Sequence, residues 1–167
     1  RLDLFEPEPV PAVLLAYLWG ALVATTAAGQ SNDAVLAQMG ARLSVETVRR
    51  IGPSIVAPLT EEPLKVLAVV VVFLLLREQL GNTLDGLVYG AFAGLGFQVA
   101  ENFQYMVGAG NTVGSAVGLF VLRGFVAGLW SHAVMTAIAG YGVAFFVARD
   151  AARVSGAVVL YKGPDTV

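Results

Sequence analysis

The sequence predicts an all-α fold, a polytopic transmembrane helix bundle with about five membrane segments, and three observations lead there. The chain is 57% hydrophobic and 13% charged, with a mean hydropathy of +0.74, far from the roughly 25% charged residues of soluble domains. Apolar runs long enough to cross a ~30 Å hydrocarbon core, which takes about 20 residues, recur along it. Nineteen glycines in 167 residues suit helices packed closely in lipid.

The first segment is expected at Val10–Ala28, after an acidic, proline-containing lead, DLFEPEPVP. The polar stretch GQSNDAVLAQMGARLSVETVRR that follows has the spacing of an interfacial amphipathic helix. The second segment is expected from Pro53 to Leu76 and the third from Leu84 to Val107. The apolar block from Val113 to Phe146 has 34 residues, about 51 Å as one helix and too long for a single span. A break near Arg123–Gly128 divides it into a short, spanning or re-entrant fourth segment and a fifth starting at Phe125 or Leu129. No repeat, low-complexity tract or domain boundary interrupts residues 1–167, so one domain is expected. Arg1 in place of Met and the polar ending YKGPDTV suggest that both ends are trimmed. Arg42, Arg49 and Arg50 oppose Arg77 across the second segment. Whether Arg149, Arg153 and Lys162 join the first group depends on segment four, so orientation stays open.

A net charge of −2 and the lack of any basic run exclude nucleic acid as a partner and leave the lipid bilayer as the expected surroundings. The absence of cysteine excludes disulfides, thiolate catalysis and cysteine metal sites. What needs explaining is a set of ionisable groups inside greasy segments, each costing about 2.5–3.5 kcal/mol to insert. TEEPLKVLAVVVVFLLL (Thr60–Leu76) carries Glu61, Glu62 and Lys65. Glu61 and Lys65 pair at i, i+4, which leaves Glu62 without a helical partner. Pro53, Pro58 and Pro63 each remove a backbone donor, so a helix restarting with Thr60 as N-cap is one solution, with water close to the two glutamates. On the third segment Gly86, Gly90 and Gly94 form a four-residue ridge that continues through Phe97, Glu101 and Tyr105, turning Glu101 into the bundle. On the fifth, Gly124, Gly128, His132, Thr136 and Gly140 repeat the step. Arg123 is expected at a helix end, free to snorkel to the interface. Three glutamates and the single histidine in one bundle could form a proton-handling or metal-binding cluster.

EEPLK (Glu61–Lys65) matches EExxK, FQVAE (Phe97–Glu101) matches FxxxE, and His132 follows in a third helix after Arg123. With DGLVYGAFAGLGFQVAENFQY around them, these motifs resemble the PrsW family of intramembrane proteases. That family stands in the superfamily of CAAX prenyl proteases and bacteriocin-processing homologues, whose motifs are EExxxR, FxxxH and HxxxN. The resemblance covers Pro53 to Phe146, within a catalytic core of about 53–148. It departs at Thr136, where relatives carry Asn or Asp. It implies a multi-pass protein of the cell membrane, in a bacterium, that hydrolyses a peptide bond within or next to the membrane in regulated proteolysis. The expected substrate is a membrane-anchored or single-span protein.

On that reading Glu61 is the principal base, Glu101 polarises the same water or shares its proton, and His132 stabilises the oxyanion or protonates the leaving amine. Glu62, Lys65, Phe97, Thr136 and Arg123 support them, and no cofactor is needed. A metal held by Glu61, Glu101 and His132 is the alternative, since two carboxylates and an imidazole suit zinc or manganese. A proton- or cation-coupled transporter and a non-catalytic peptide-binding relative are further alternatives. A spanning fourth segment raises a geometric conflict. It brings His132 in from the opposite face, about 10 Å in depth from Glu61 and Glu101.

Overall fold

The computed structural model describes residues 8–76, 83–108, 112–123 and 131–154, with side chains as far as Val147. Every regular element among these residues is helical. α1 (Val10–Leu18) runs through a π-helical turn (Trp19–Ala24) into α2 (Thr25–Gly40), and α3 (Val45–Leu75), α4 (Thr83–Gly108), α5 (Val113–Val121) and α6 (Ser131–Val154) follow. By length and composition, one helix among the described residues, Val10–Gly40, is long and apolar enough to cross a membrane. α3 is as long but carries Arg49, Arg50, Glu61, Glu62 and Lys65, and α6 is apolar over Ser131–Val147.

α4 is the central helix, because small residues on two of its faces let neighbours approach to backbone distance. On one face a Cβ at Gly86, Gly90 or Gly94 would collide with the carbonyl oxygen of Gly140, Thr136 or His132. The two glycine-bearing stripes therefore meet in antiparallel register, one turn of α4 for each turn of α6. On the other face Gly96 abuts the Tyr17 carbonyl and Gly20 abuts that of Ala93. The π turn lies at this second crossing, where the Thr25 hydroxyl donates to the Gly20 carbonyl at 2.8 Å. Ala12 and Ala16 of α1, Ala68, Val69 and Val72 of α3, and Tyr89 and Ala93 of α4 close the apolar core.

Several expectations change. The polar stretch after the first segment is not a separate interfacial helix. Its first half completes α2, and its second half opens α3 after Ser44, whose Oγ accepts from the Thr47 backbone N–H at 3.2 Å. α3 thus begins eight residues before Pro53, and Thr60 caps nothing. Helix runs through all three prolines, and the Thr60 hydroxyl bonds back to the Val56 carbonyl at 2.9 Å. The missing donor of Pro63 leaves the Leu59 carbonyl without its helical partner, a local cost that tertiary packing of α3 overrides. The third segment matches α4 within a residue at each end. The fourth is short over its described part, nine residues in α5, about 13 Å. The expected starts of the fifth at Phe125 or Leu129, the stripe positions Gly124 and Gly128, and the charges Arg77 and Lys162 lie outside the described residues.

Candidate active site

Glu61 lies at the middle of α3, 16 residues after Val45 and 14 before Leu75. Its face of the helix, shared with Lys65, Ala68 and Val72, is buried. Lys65 is the hub. Its side chain is 0% exposed, and its Nζ lies 3.2 Å from Glu61 Oε2, 2.8 Å from Glu62 Oε1 and 2.6 Å from His132 Nδ1. The ammonium also sits 4.1 Å from the centroid of the Phe97 ring, and that ring packs against His132 at 5.4 Å. Glu62 is therefore not left unpartnered, because one lysine serves both glutamates at i, i+3 and i, i+4.

An ammonium has three donors and no acceptor, so His132 Nδ1 accepts from Lys65. In the neutral ring this puts the proton on Nε2, which lies 3.5 Å from Glu101 Oε2. The register of α4 against α6 causes the meeting. With the His132 carbonyl seated on Gly94, the histidine ring reaches the part of α4 that holds Phe97 and Glu101. The conflict in depth thus disappears.

Arg123 does not snorkel outward. Its Nη2 pairs with Glu101 Oε2 at 2.7 Å, its Nε donates to Asn102 Oδ1 at 3.2 Å, and its guanidinium stacks 3.8 Å from the Tyr105 ring centroid. Thr136, 0% exposed, is turned towards Glu62, donating to its Oε2 at 3.3 Å. A cleft of about 520 Å³ opens beside the cluster, with Ala28, Asn32, Ala57, Glu61, Phe97 and Glu101 among its lining.

Glu61, Glu101 and His132 each offer one donor atom, and these lie within 4.8 Å of one another. Two carboxylates and an imidazole are the right types for zinc or manganese. A ligating imidazole must offer a lone pair to the ion, however. With Lys65 charged and the ring neutral, the Nδ1 lone pair is taken by Lys65 and Nε2 carries the proton. As arranged, the trio does not fit a resident ion, because ligation requires Lys65 to release the ring.

Asn32, Thr60, Trp19, Asn102 and Tyr105 complete the surroundings. Trp19 Nε1 donates to the Leu64 carbonyl at 2.9 Å, tying the π turn to the helix that carries the glutamates. Of these five, Tyr105 has a signal in the sequence as the next position of the α4 stripe, and Thr60 is singled out there only as an expected N-cap.

The described helices thus form a bundle that gathers Glu61, Glu62, Lys65, Glu101 and His132 beside a cleft. Residues 8–163 match the family model described as PrsW family intramembrane metalloprotease, and the chain belongs to that family of membrane proteases. No curated protein and no solved structure gives a match.

Proposed function

We propose that this chain is a multi-pass endopeptidase of a bacterial cell membrane. It hydrolyses a peptide bond of a membrane-anchored or single-span protein with water activated by glutamate. The observation that carries this reading is the unequal holding of the two carboxylates around one cleft. Glu101 Oε2 is clamped by Arg123 at 2.7 Å. Glu61 has one oxygen on Lys65 at 3.2 Å and the other on an amide at 3.4 Å, leaving lone pairs for water. Outward apolar residues such as Leu14 and Leu22 on the first helix, Val117 and Phe120 on α5, and Met135 and Ile138 on α6 suit contact with lipid.

In the proposed reaction, water lies between Glu61 and Glu101. Glu61 takes its proton as the oxygen attacks the scissile carbonyl carbon, and Glu101 polarises the same water. The oxyanion that forms accepts from His132 Nε2–H, the ring donor that the lysine bond to Nδ1 leaves, which turns to it from Glu101 Oε2, 3.5 Å away. The proton on Glu61 then passes to the leaving nitrogen as the C–N bond breaks, giving a carboxylic acid and an amine. Lys65 holds Glu61, Glu62 and His132 at fixed distances, and Arg123 does the same for Glu101. Thr136 steadies Glu62, outside the reacting atoms.

A panel of single-span membrane substrates incubated with purified protein in detergent tests the reading. Glu61→Gln and Glu101→Gln keep the shape of the side chains but cannot take a proton, so turnover is expected to fall more than ~10²-fold with folding unchanged. Wild-type turnover in either variant removes that residue from the mechanism. An intact panel after incubation with the wild type favours a transporter or a non-catalytic relative. The metal-dependent reading keeps one observation in its favour, the convergence of three donor atoms, alongside the family's description as a metalloprotease.

A further inference from the structure

Asn32 belongs to α2 and to none of the motifs, yet its side chain reaches the carboxylate at the centre of the site. Its Nδ2 donates to Glu61 Oε1 at 3.4 Å, and its Oδ1 accepts from the Thr60 hydroxyl. An ionised carboxylate only accepts hydrogen bonds, so Glu61 selects the amide orientation in which the NH2 group faces it. The Thr60 hydroxyl, one residue away on α3, shares its single proton between the Asn32 amide oxygen and the Val56 carbonyl, and so tethers the other end of the amide. Lys65 and Glu62 from its own helix, Glu101 from α4 and His132 from α6 also surround Glu61. The contact from Asn32 is the uncharged one, and it falls on the oxygen that Lys65 does not hold. Asn32 also lines the cleft. The π turn contributes to this placement, since each extra residue in a helical turn rotates everything downstream by about 100°.

We propose that Asn32 is a positioning residue for the hydrolytic reaction, one that orients the Glu61 carboxylate towards the cleft. The proposal rests on Glu61 being the base. With one oxygen fixed by Lys65 and the other by an amide that is itself tethered, the carboxylate plane cannot rotate about its terminal bond. Its free lone pairs stay directed at the water. Misplacement of a reacting group by about 1 Å is enough to cost ~10²-fold in rate.

Asn32→Leu keeps the size and removes both polar atoms. It is expected to lower kcat ~10- to 100-fold with KM within twofold and an unchanged melting temperature. Asn32→Gln, which restores an amide one methylene longer, is expected to recover kcat to within ~3-fold of wild type. Thr60→Val removes the tether, together with the hydroxyl's bond back to its own helix at Val56, and is expected to lower kcat ~3-fold with an unchanged melting temperature. It decides the matter if the leucine variant does not fold. A wild-type kcat in Asn32→Leu or, where that variant does not fold, in Thr60→Val overturns the proposal. So does a loss that appears in KM or follows the melting temperature, which marks Asn32 as cleft wall or packing. Glu61→Gln, run beside them, separates the two claims: wild-type turnover there removes the base itself, whereas an inactive glutamine variant with an active Asn32→Leu removes only the role of Asn32.

Discussion

Along α4, the stretch from Thr83 to Gly94 and the stretch from Phe97 to Gly108 differ in what touches them. The first is read by backbone: Gly86, Gly90 and Gly94 seat the carbonyls of α6. Tyr89 is fully buried and donates to Glu8 across the bundle. The second is read by side chains, with Phe97 under an ammonium, Glu101 between Arg123 and His132, and Tyr105 beneath a guanidinium. The difference teaches that the packing half sets the chemistry of the polar half. The Gly94–His132 backbone contact lies seven residues from Glu101, about 10 Å along the axis. Any shift of α6 at the glycines is carried directly into the histidine.

The charged hub gives the largest effect by which this comparison can be broken. Lys65→Met keeps the length but leaves buried Glu61 and partly exposed Glu62 without their cation. A stability loss of about 3–5 kcal/mol is expected, as when one member of a buried pair is removed. Turnover should be lost as well, and thermal melting and substrate cleavage check both. Next comes the packing half. Gly90→Val drives a side chain into the Thr136 carbonyl, backbone that cannot step aside. It is expected to cost about 1–3 kcal/mol and, by displacing His132, ~10²-fold in turnover. Near-normal turnover in that variant would uncouple the two halves.

An effect of similar size on turnover is expected within α6 itself. His132→Ala should cut turnover at least ~100-fold, the value of an oxyanion donor, and Thr136→Val less than ~10-fold, because the hydroxyl serves Glu62 rather than the reacting atoms. Equal losses would make Thr136 a direct donor. The smallest effect belongs to the far end of the helix. Burial raises the pKa of the Glu8 carboxyl above its usual value, the Tyr89 bond works against this, and Asp85 adds to it. A raised pKa in the folded state means stability that is full below the ordinary carboxylate range and lost as pH rises through the folded value. Glu8→Gln is therefore expected to flatten that decline in melting temperature while leaving cleavage unchanged.

Much of this was legible in the sequence because the signals are periodic. The four-residue steps Gly86–Gly90–Gly94 and His132–Thr136–Gly140 name both faces of the α4–α6 contact, and the same stripe carries on, by steps of three and four, to Phe97 and Glu101. Glu61 and Lys65 were readable as a pair for the same reason. What escaped is set by tertiary contact. Lys65 reaches His132 across 67 positions, which no local spacing encodes, and Arg123 turns inward because Glu101 is there to receive it. The unbroken α3 through three prolines also escaped. Each proline argues locally for a break, and the burial of Lys65, Val69 and Val72 against the bundle favours a continuous rod. Asn32 was hidden in a polar stretch whose composition resembles an interface, and the π turn that re-aims it has no sequence signature.

The central claim is that the carboxylate pair activates water unaided while Lys65 holds His132 Nδ1. Cleavage of a single-span substrate by the wild-type protein, measured before and after exhaustive treatment with a strong chelator, tests it most directly. Turnover is expected to be unchanged after chelation, with no gain when zinc or manganese is added back. Loss of cleavage on chelation, restored by either ion, would contradict it and hand Glu61, Glu101 and His132 to a metal.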